Sequence, residues 1–560
     1  MFKKFQDTVF NGIQSSGKRN LILFVTFIAF VLSVLMIAPS KMVLAKMLPG
    51  KNNDTFTIYT TLVEGSSIEQ TNQVTECVAD YIKKEKEVED FEIFLGMGAP
   101  LDFAGLIKGS HFKNSENVAE IVVNLTKKHD RDEPSYFMVQ RMRPDIQKNC
   151  ATIYDKTTIT FVEPPAGPPV LAALVAEIYG EDTNGIRELS NRVESIFKNT
   201  QGLVDVEIMQ DEIYDTFEVQ VDSTKVALSG VNVKQLNDIL YLAFEGMQIA
   251  VKNSDLYNDQ LPIYLSLSKE SKKFSTKDIN SIKAKLSSLK LMNQMGMMTS
   301  ITELVTIVPK KSNPMLMSKN LHLMTNVMAE TDMVSQVYPL MEARNTILNT
   351  FNDKYDIEKI GLFNLKLTDK ESKKVYKLIW DGEMEVTLDT FVELGAAFIA
   401  ALILIFLLMV IYYKSYALSG IILLGSFLSI IGVIVGHFIM DIFTTDTFFL
   451  TATSLIGFIA LIGISSRNSL LLIDFTASLM KDNKMSKAEA IAYATATRAK
   501  PIFLTAAAII LASTLLAGDA VFGGLGVALI FGTIAAVIAS LIIVPILLFK
   551  ADLNKHFNLD

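Results

Sequence analysis

Apolar residues run almost unbroken in six places along this chain, and between the first run and the second they recur instead with strand-like or helical spacing. The first run, Leu21 to Ala38, is followed much later by Phe391 to Tyr412, Ala417 to Met440, Leu450 to Phe475, Pro501 to Ala517 and Phe522 to Leu548. Each approaches or exceeds the roughly 20 residues that cross a hydrocarbon core of about 30 Å. The pattern predicts one membrane helix, a large polar insert, then five more membrane helices. Leu21 to Ala38 is longer than the apolar core of a signal peptide and lacks a small-residue cleavage site, so it reads as a retained helix. Ahead of it, Phe2, Phe5, Val9, Phe10 and Ile13 recur at helical spacing among Lys3, Lys4 and Gln6, which predicts an amphipathic helix on the membrane surface.

Inside the insert, Phe56 to Glu64 alternates with period two, Ser67 to Lys86 has helical periodicity and Phe91 to Leu95 is strand-like again. Val170 to Tyr179, Thr183 to Asn199 and Leu203 to Met209 repeat that order, which predicts two β-α-β modules. The stretch from Pro164 to Pro169 excludes helix and marks the hand-over between them. Phe217 to Gly246 reads as a strand and helix and Leu261 to Leu267 as a strand, so 217–308 is expected to form a subdomain of its own. The expected fold class is an α+β membrane protein with six transmembrane helices, arranged one and then five.

Arg467 stands inside the fourth apolar run, in Ile464-Ser-Ser-Arg-Asn-Ser-Leu-Leu-Leu-Ile-Asp474. A cation at that depth costs about 2.5 kcal/mol or more on insertion scales, so it is expected to face a bundle interior and meet an acid. Asp474 is seven residues on, about 10.5 Å along a helix. It is expected to be a solvated structural acid near the inner surface, and Glu393 the same at the outer edge. Lys3, Lys4, Lys18 and Arg19 precede the first helix, and Lys414, the 481–500 segment, Lys550 and Lys555 mark alternate later connections. By the positive-inside rule both termini are cytoplasmic and the insert lies outside.

Composition narrows the function. Half the residues are hydrophobic and the mean hydropathy is +0.33, above an ordinary soluble chain. The net charge of -8 and the lack of a basic stripe argue against nucleic acid. Cys77 and Cys150 have no companions at metal spacing, which leaves a single bridge open and gives no zinc site. No nucleophile elbow, phosphate loop or zinc-binding helix motif occurs. No enzyme, cofactor or catalytic residue is expected, and energy would come from an ion gradient or a partner.

Three segments carry a family resemblance: Met47-Leu-Pro-Gly with Phe56 to Thr71, including Glu64-Gly-Ser-Ser-Ile-Glu-Gln-Thr; Thr453 to Phe475 with Arg467-Asn-Ser; and Arg498-Ala-Lys-Pro-Ile-Phe-Leu-Thr505-Ala. In this order they resemble the C-terminal half of resistance-nodulation-division (RND) efflux permeases of the acriflavine-resistance (AcrB) type. The family has two six-helix halves, and the absent N-terminal half is the one that carries paired aspartates on its fourth helix. The resemblance implies a proton relay through Arg467, Thr505 and Arg498. It also implies a substrate cleft near Phe91, Phe94 and Phe103, with Gly96, Gly98, Pro100 and Gly105 around them. Thr505 also admits a local reading, bonding its own helix four residues back, and Arg498 that of a positive-inside anchor.

The implied layout is a surface helix (1–18), a first transmembrane helix (19–40), a ferredoxin-like porter module (41–165), and a second porter module split into 166–216 and 309–389. A docking-type subdomain (217–308), a five-helix bundle (390–549) and a cytoplasmic tail (550–560) complete it. The implied function is a secondary active transporter of a Gram-negative inner membrane. It exports hydrophobic or amphipathic small molecules by proton antiport as a homotrimer, with a periplasmic adaptor and an outer-membrane channel. The half bearing the acidic pair would belong to the same parent chain, with Met1 an internal methionine, or to a separate subunit. Two other functions remain open: a protein-export accessory of the same superfamily, and a heavy-metal cation exporter. For the latter, the clusters at Met292, Met295, Met297 and Met298 and at Met315, Met317, Met324 and Met328 offer thioethers that suit Cu(I), or serve as adaptable apolar filler.

Overall fold

A computed structural model describes residues 2–37, 40–50, 52–100, 103–110, 113–164, 167, 170–256, 260–272, 278–332, 335–444 and 447–553. Pro165, Pro168 and Pro169 of the expected linker and most of the C-terminal tail lie outside the described residues. The chain forms two compact units, Met1–Gln210 with Leu316–Asp560, and Asp211–Met315.

In the larger unit, α1 (Phe2–Gln14) and α2 (Ser16–Ile37) come first. A sheet module follows from β1 (Thr55–Thr61), α3 (Ile68–Ile82), β2 (Val88–Leu95), α4 (Phe103–Lys108), β3 (Val118–Leu125), α5 (Ser135–Asn149) and β4 (Thr158–Val162). The four strands pair antiparallel in the order β2-β3-β1-β4. Sequence periodicity found the first three elements and missed the rest for a reason. β3 is buried on both faces, Val118 through Ile121 without a break, so it shows no alternation. α5 carries Pro144 in its interior, against helix propensity.

α3 starts at a capping box in which Ser67 and Gln70 satisfy each other's backbone N–H. It then lays Val74, Val78 and Ile82 onto Phe56, Ile58, Ile121 and Val123. Burying each such side chain stabilises by about 1.5–3 kcal/mol. Because α3 and α5 cover the same core, Cys77 and Cys150, 73 residues apart, come to a Cα separation of 5.7 Å and form a disulfide. This closes the question that cysteine spacing had left open.

The second sheet of this unit has seven strands, among them β5 (Leu174–Tyr179) and β6 (Leu203–Ile208), with α6 (Thr183–Lys198) between them. The strand His322–Thr331 pairs with both β5 and β6, and Val375–Asp381 flanks β5 on its other side. Leu189, Val193 and Phe197 of α6 and Leu340, Ala343 and Ile347 of the helix Val337–Thr350 cover it. Only Gly382 separates Val375–Asp381 from the long helix Glu383–Tyr413. Gly382 has φ +86°, and a Cβ there would stand 2.5 Å from the Ala172 carbonyl oxygen, so both conformation and space require glycine.

Among the described residues, six helical segments are long and apolar enough to cross a membrane: Ser16–Ile37, Glu383–Tyr413, Tyr416–Phe443, Ala452–Asp482, Lys487–Ala517 and Gly523–Lys550. Small residues let them approach closely. A Cβ on Gly432 would lie 2.3 Å from the Phe531 carbonyl oxygen. The fifth helix starts at Lys487, well before the Pro501 that the sequence suggested as its beginning. Proline is a good first residue of a helix, but a membrane helix also tolerates it internally when neighbouring helices stabilise the kink. In the last segment a π turn, Ala539–Ile543, comes just before Pro545, whose missing N–H leaves the helical ladder open there.

The smaller unit pairs the strand Asp215–Val221 antiparallel with Val305–Lys311 and adds two hairpins, Met247–Lys252 with Leu261–Leu265 and Lys290–Met292 with Met298–Ser300. Its core holds Val226, Leu236, Ile301 and Leu304.

Candidate functional site

The helix Ala452–Asp482 has two unlike faces. Its buried face mixes apolar residues such as Phe458, Leu461, Ile462 and Leu472 with the polar Thr453, Ser454, Ser465, Ser466, Asn468, Ser469 and Thr476. Its exposed face is a stripe of Ile456, Ala460, Gly463, Arg467 and Leu471, spaced as one side of a helix. A Cβ on Gly463 would meet nothing within 4 Å. Arg467 is thus on the outer surface of this unit and not inside its bundle. Among the described residues no acid pairs with it. The expectation of an acidic partner is not met within the described part of this chain.

Thr505 is also exposed, and its Oγ1 donates to the carbonyls of Pro501 at 3.1 Å and Ile502 at 3.0 Å. The local hydrogen bond is therefore formed, although its exposure leaves the hydroxyl accessible from outside. Arg498 is half-buried with its guanidinium 5.1 Å from the centre of the Phe475 ring, and its Nε is buried without a hydrogen-bond partner. That contact fixes the register of the two helices, which a short connection makes antiparallel. Phe475 lies about 12 Å along its helix from Arg467, and Arg498 about 10.5 Å along its own from Thr505. Arg467 and Thr505 are therefore at nearly the same depth.

Asp474 is not a free solvated acid: Tyr413 Oη donates to its Oδ1 at 2.7 Å, and it is half-buried. A partner 61 residues away on another helix cannot be read from spacing. His437 was missed as well. It is fully buried, with Nδ1 2.8 Å from the Val433 carbonyl and Nε2 2.8 Å from Ser454 Oγ. The signal available was a histidine within an apolar run.

In the first sheet module, Phe91 and Phe94 both lie on β2, three residues apart, so they project to opposite faces of the sheet. Phe91 packs against the module's core, with Lys83 Nζ 6.0 Å from its ring centre. Phe94 is half-buried, and Phe103 opens α4 with its side chain outside the described residues. Phe91 and Phe94 thus do not share one surface. Beside them the chain closes: Ala99 N donates to Glu120 Oε2 at 2.8 Å, and a cavity of about 10 Å³ next to Tyr59, Met97 and Lys113 has room for about one water.

The two sheet modules of the larger unit meet through charges. Arg143 on α5 reaches Asp205 on β6 at 3.2 Å and Asp332 at 3.4 Å, and Lys108 on α4 reaches Glu330 at 2.9 Å. Asp205 has a fully buried side chain and a left-handed φ of +50°, and its Oδ2 also accepts the Phe161 N–H at 3.1 Å. Burial pushes its carboxyl up to about 6 against the pull of Arg143. Glu163, just after β4, is pushed up to about 7, again mainly by burial, and its Oε1 has no hydrogen-bond partner.

Among the described residues no group of His, Cys, Asp and Glu could hold a metal ion. Met292, Met295, Met297 and Met298 are all more than half exposed on one hairpin of the smaller unit, whereas Met324 is buried in a strand of the larger.

The AcrB/AcrD/AcrF family profile matches residues 12–552. The chain belongs to this family. It is 24% identical over 377 residues to the swarming motility protein SwrC of Bacillus subtilis, covering 66% of this chain and 32% of that protein. It is 22% identical over 328 residues to the multidrug resistance protein MdtC of Proteus mirabilis, covering 59% of this chain and 28% of that one. A crystal structure of a heavy metal efflux pump superimposes with a TM-score of 0.72 at 18% identity, covering 98% of this chain and 51% of that one. The chain therefore spans about half the length of that pump, and its matches cover about a third of the two curated relatives. The family is the one its sequence motifs indicated.

Proposed function

We propose that this chain is one half of a proton-driven RND efflux permease that exports hydrophobic or amphipathic compounds, with its acidic counterpart supplied by another six-helix half. The observation that carries this reading is the exposed stripe of Ile456, Gly463, Arg467 and Leu471, with no acid on Arg467 among the described residues. In lipid such a face is costly, and an acidic helix laid along it removes the cost. A guanidinium remains charged, so Arg467 acts as a fixed counter-ion. Protonating the facing carboxylate removes its attraction, and that difference shifts a two-state packing of the halves. Thr505, at the same depth, supplies a hydroxyl beside the pair, and Arg498 completes the relay nearer the cytoplasmic end.

In this reading the six apolar segments span the inner membrane, both termini are cytoplasmic, and the sheet modules and the smaller unit lie in the periplasm. Cargo enters a cleft around Phe94 and the Phe103 segment. A homotrimer, an adaptor and an outer-membrane channel complete the assembly. The exposed methionines favour a second reading for cargo, a soft metal cation.

The test is to extract the chain from its native membrane in mild detergent and identify every polypeptide present by mass spectrometry. A companion six-helix segment with an acidic pair in its fourth helix, as a separate chain or as peptides preceding Met1, supports the proposal. A particle with neither removes it.

A further inference from the structure

α1 does not lie free at the end of the bundle. Phe2 stacks edge-on against Tyr493 at 5.7 Å between ring centres, and Ile13 is buried. Phe5 reaches the helix of Ala499, Ile502 and Ala506 and its neighbour at Val537 and Leu541. Beside Phe5 these elements leave an apolar groove of about 320 Å³, walled by Phe503, Ala507 and Ile510 on one side and by Ile538 and Leu541 on the other. The π turn Ala539–Ile543 forms part of that wall.

Two cations adjoin its lining residues along the chain. Lys500 lies one turn before Phe503 on the same side of its helix, and Lys4 adjoins Phe5 on α1. Both are exposed, and no ion pair is formed by either among the described residues; the acid within reach of Lys4 along its own helix is Asp7, also exposed. An apolar slot with two unpaired lysines on its bordering helix turns matches one chemistry, an acyl chain with a phosphate at its end. A helix of another chain would fill the slot but leave the lysines unanswered, and an uncharged lipid would do the same.

We propose that this groove is a binding site for one anionic phospholipid, with an acyl chain between Phe5, Phe503 and Leu541 and the phosphate held by Lys4 and Lys500. The proposal rests on the reading that the bundle is embedded in a membrane, and it is independent of proton coupling. The lipid wedges α1 against the fifth and sixth apolar segments, on the side of the fifth helix turned away from Thr505.

The experiment reconstitutes the full chain in nanodiscs of equal phosphatidylglycerol and phosphatidylcholine, releases it and counts retained lipids by native mass spectrometry. One phosphatidylglycerol is expected, and Lys4→Gln and Lys500→Gln should each lower its preference over phosphatidylcholine about fivefold. Ala507→Trp should fill the groove and abolish retention. Ala508→Trp, on an exposed neighbouring position outside the lining, should leave retention intact and controls for folding. Retention of no lipid, equal retention of both lipids, or retention unchanged by Ala507→Trp would overturn the proposal. So would a polypeptide that crosslinks to a Phe503→Cys probe in native membranes in place of lipid. Failure of the embedding would appear differently, as a chain that leaves the membrane without detergent.

Discussion

Arg143 and Arg467 are placed by opposite rules. At the junction of the sheet modules, Arg143 meets two carboxylates of its own chain, lies over the Phe161 ring at 5.4 Å and is only 13% exposed. In the helical bundle, Arg467 lies on an exposed stripe and finds no acid among the described residues. The junction of the sheet modules thus answers the charge of Arg143 within its own chain. The bundle leaves its charge on the surface, where the proposal above has another half answer it. The difference teaches that a buried arginine is settled by its own fold, whereas an exposed one is a candidate for an interface, which is the role proposed above for Arg467.

The sharpest way to break this comparison is to remove each arginine in turn. Arg467→Ala should abolish gradient-driven efflux by the assembled permease while the unfolding temperature stays where it was, measured at equal membrane levels. Normal efflux by that variant would end the relay proposal. Arg143→Ala should behave in the opposite sense, costing about 3–5 kcal/mol because Asp205 is left buried and unpaired. Thermal unfolding in detergent checks this, and an unchanged midpoint would mean the junction charges are already screened.

Next in size is the Cys77–Cys150 bridge. Replacing both with serine should cost about 2–4 kcal/mol for a closed loop of this length, confined to the first module and visible as faster proteolysis between α3 and β4. Unaltered proteolysis would show that the core alone holds α3 and α5 together.

The smallest effect concerns pH. Glu163 and Asp205 have folded-state values of about 7 and about 6, above their ordinary 4.5 and 3.8. The folded state therefore holds more protons than the unfolded one in this window. Their contribution is fully present below the ordinary values and is lost as pH rises through 6 to 7. Hydrogen exchange at β4 and β6 should accelerate from pH 5 to pH 8 beyond the intrinsic chemical trend, and Glu163→Gln should flatten that excess. An equal excess in the variant would assign the effect elsewhere.

Much of this was legible in the chain because the relevant physics is local. The apolar segments announce themselves by length, α3 by helical periodicity over Ser67 to Lys86, and Arg467 by standing in grease. What escaped depends on partners far away in sequence. β3 is buried on both faces because α3 covers Ile121 and Val123 on one and the chain at Ala99, bonded to Glu120, closes over the other. Cys77 meets Cys150 only because α3 and α5 cover one core. Phe91 and Phe94, grouped by the family resemblance, are separated by the pleat of β2. The hydrogen bond from Tyr413 to Asp474 and the one between His437 and Ser454 each join different helices. For Arg467 the sequence pointed to a counter-charge, and none of the described residues supplies it.

Gly382 has a mechanical consequence. With one residue between the strand Val375–Asp381 and the helix Glu383–Tyr413, and that residue hemmed in by the Ala172 carbonyl, there is no slack between sheet and rod. The two behave as a lever and its arm. A tilt of a few degrees at the membrane end arrives at the central strand of the second sheet as displacement, without a hinge to absorb it.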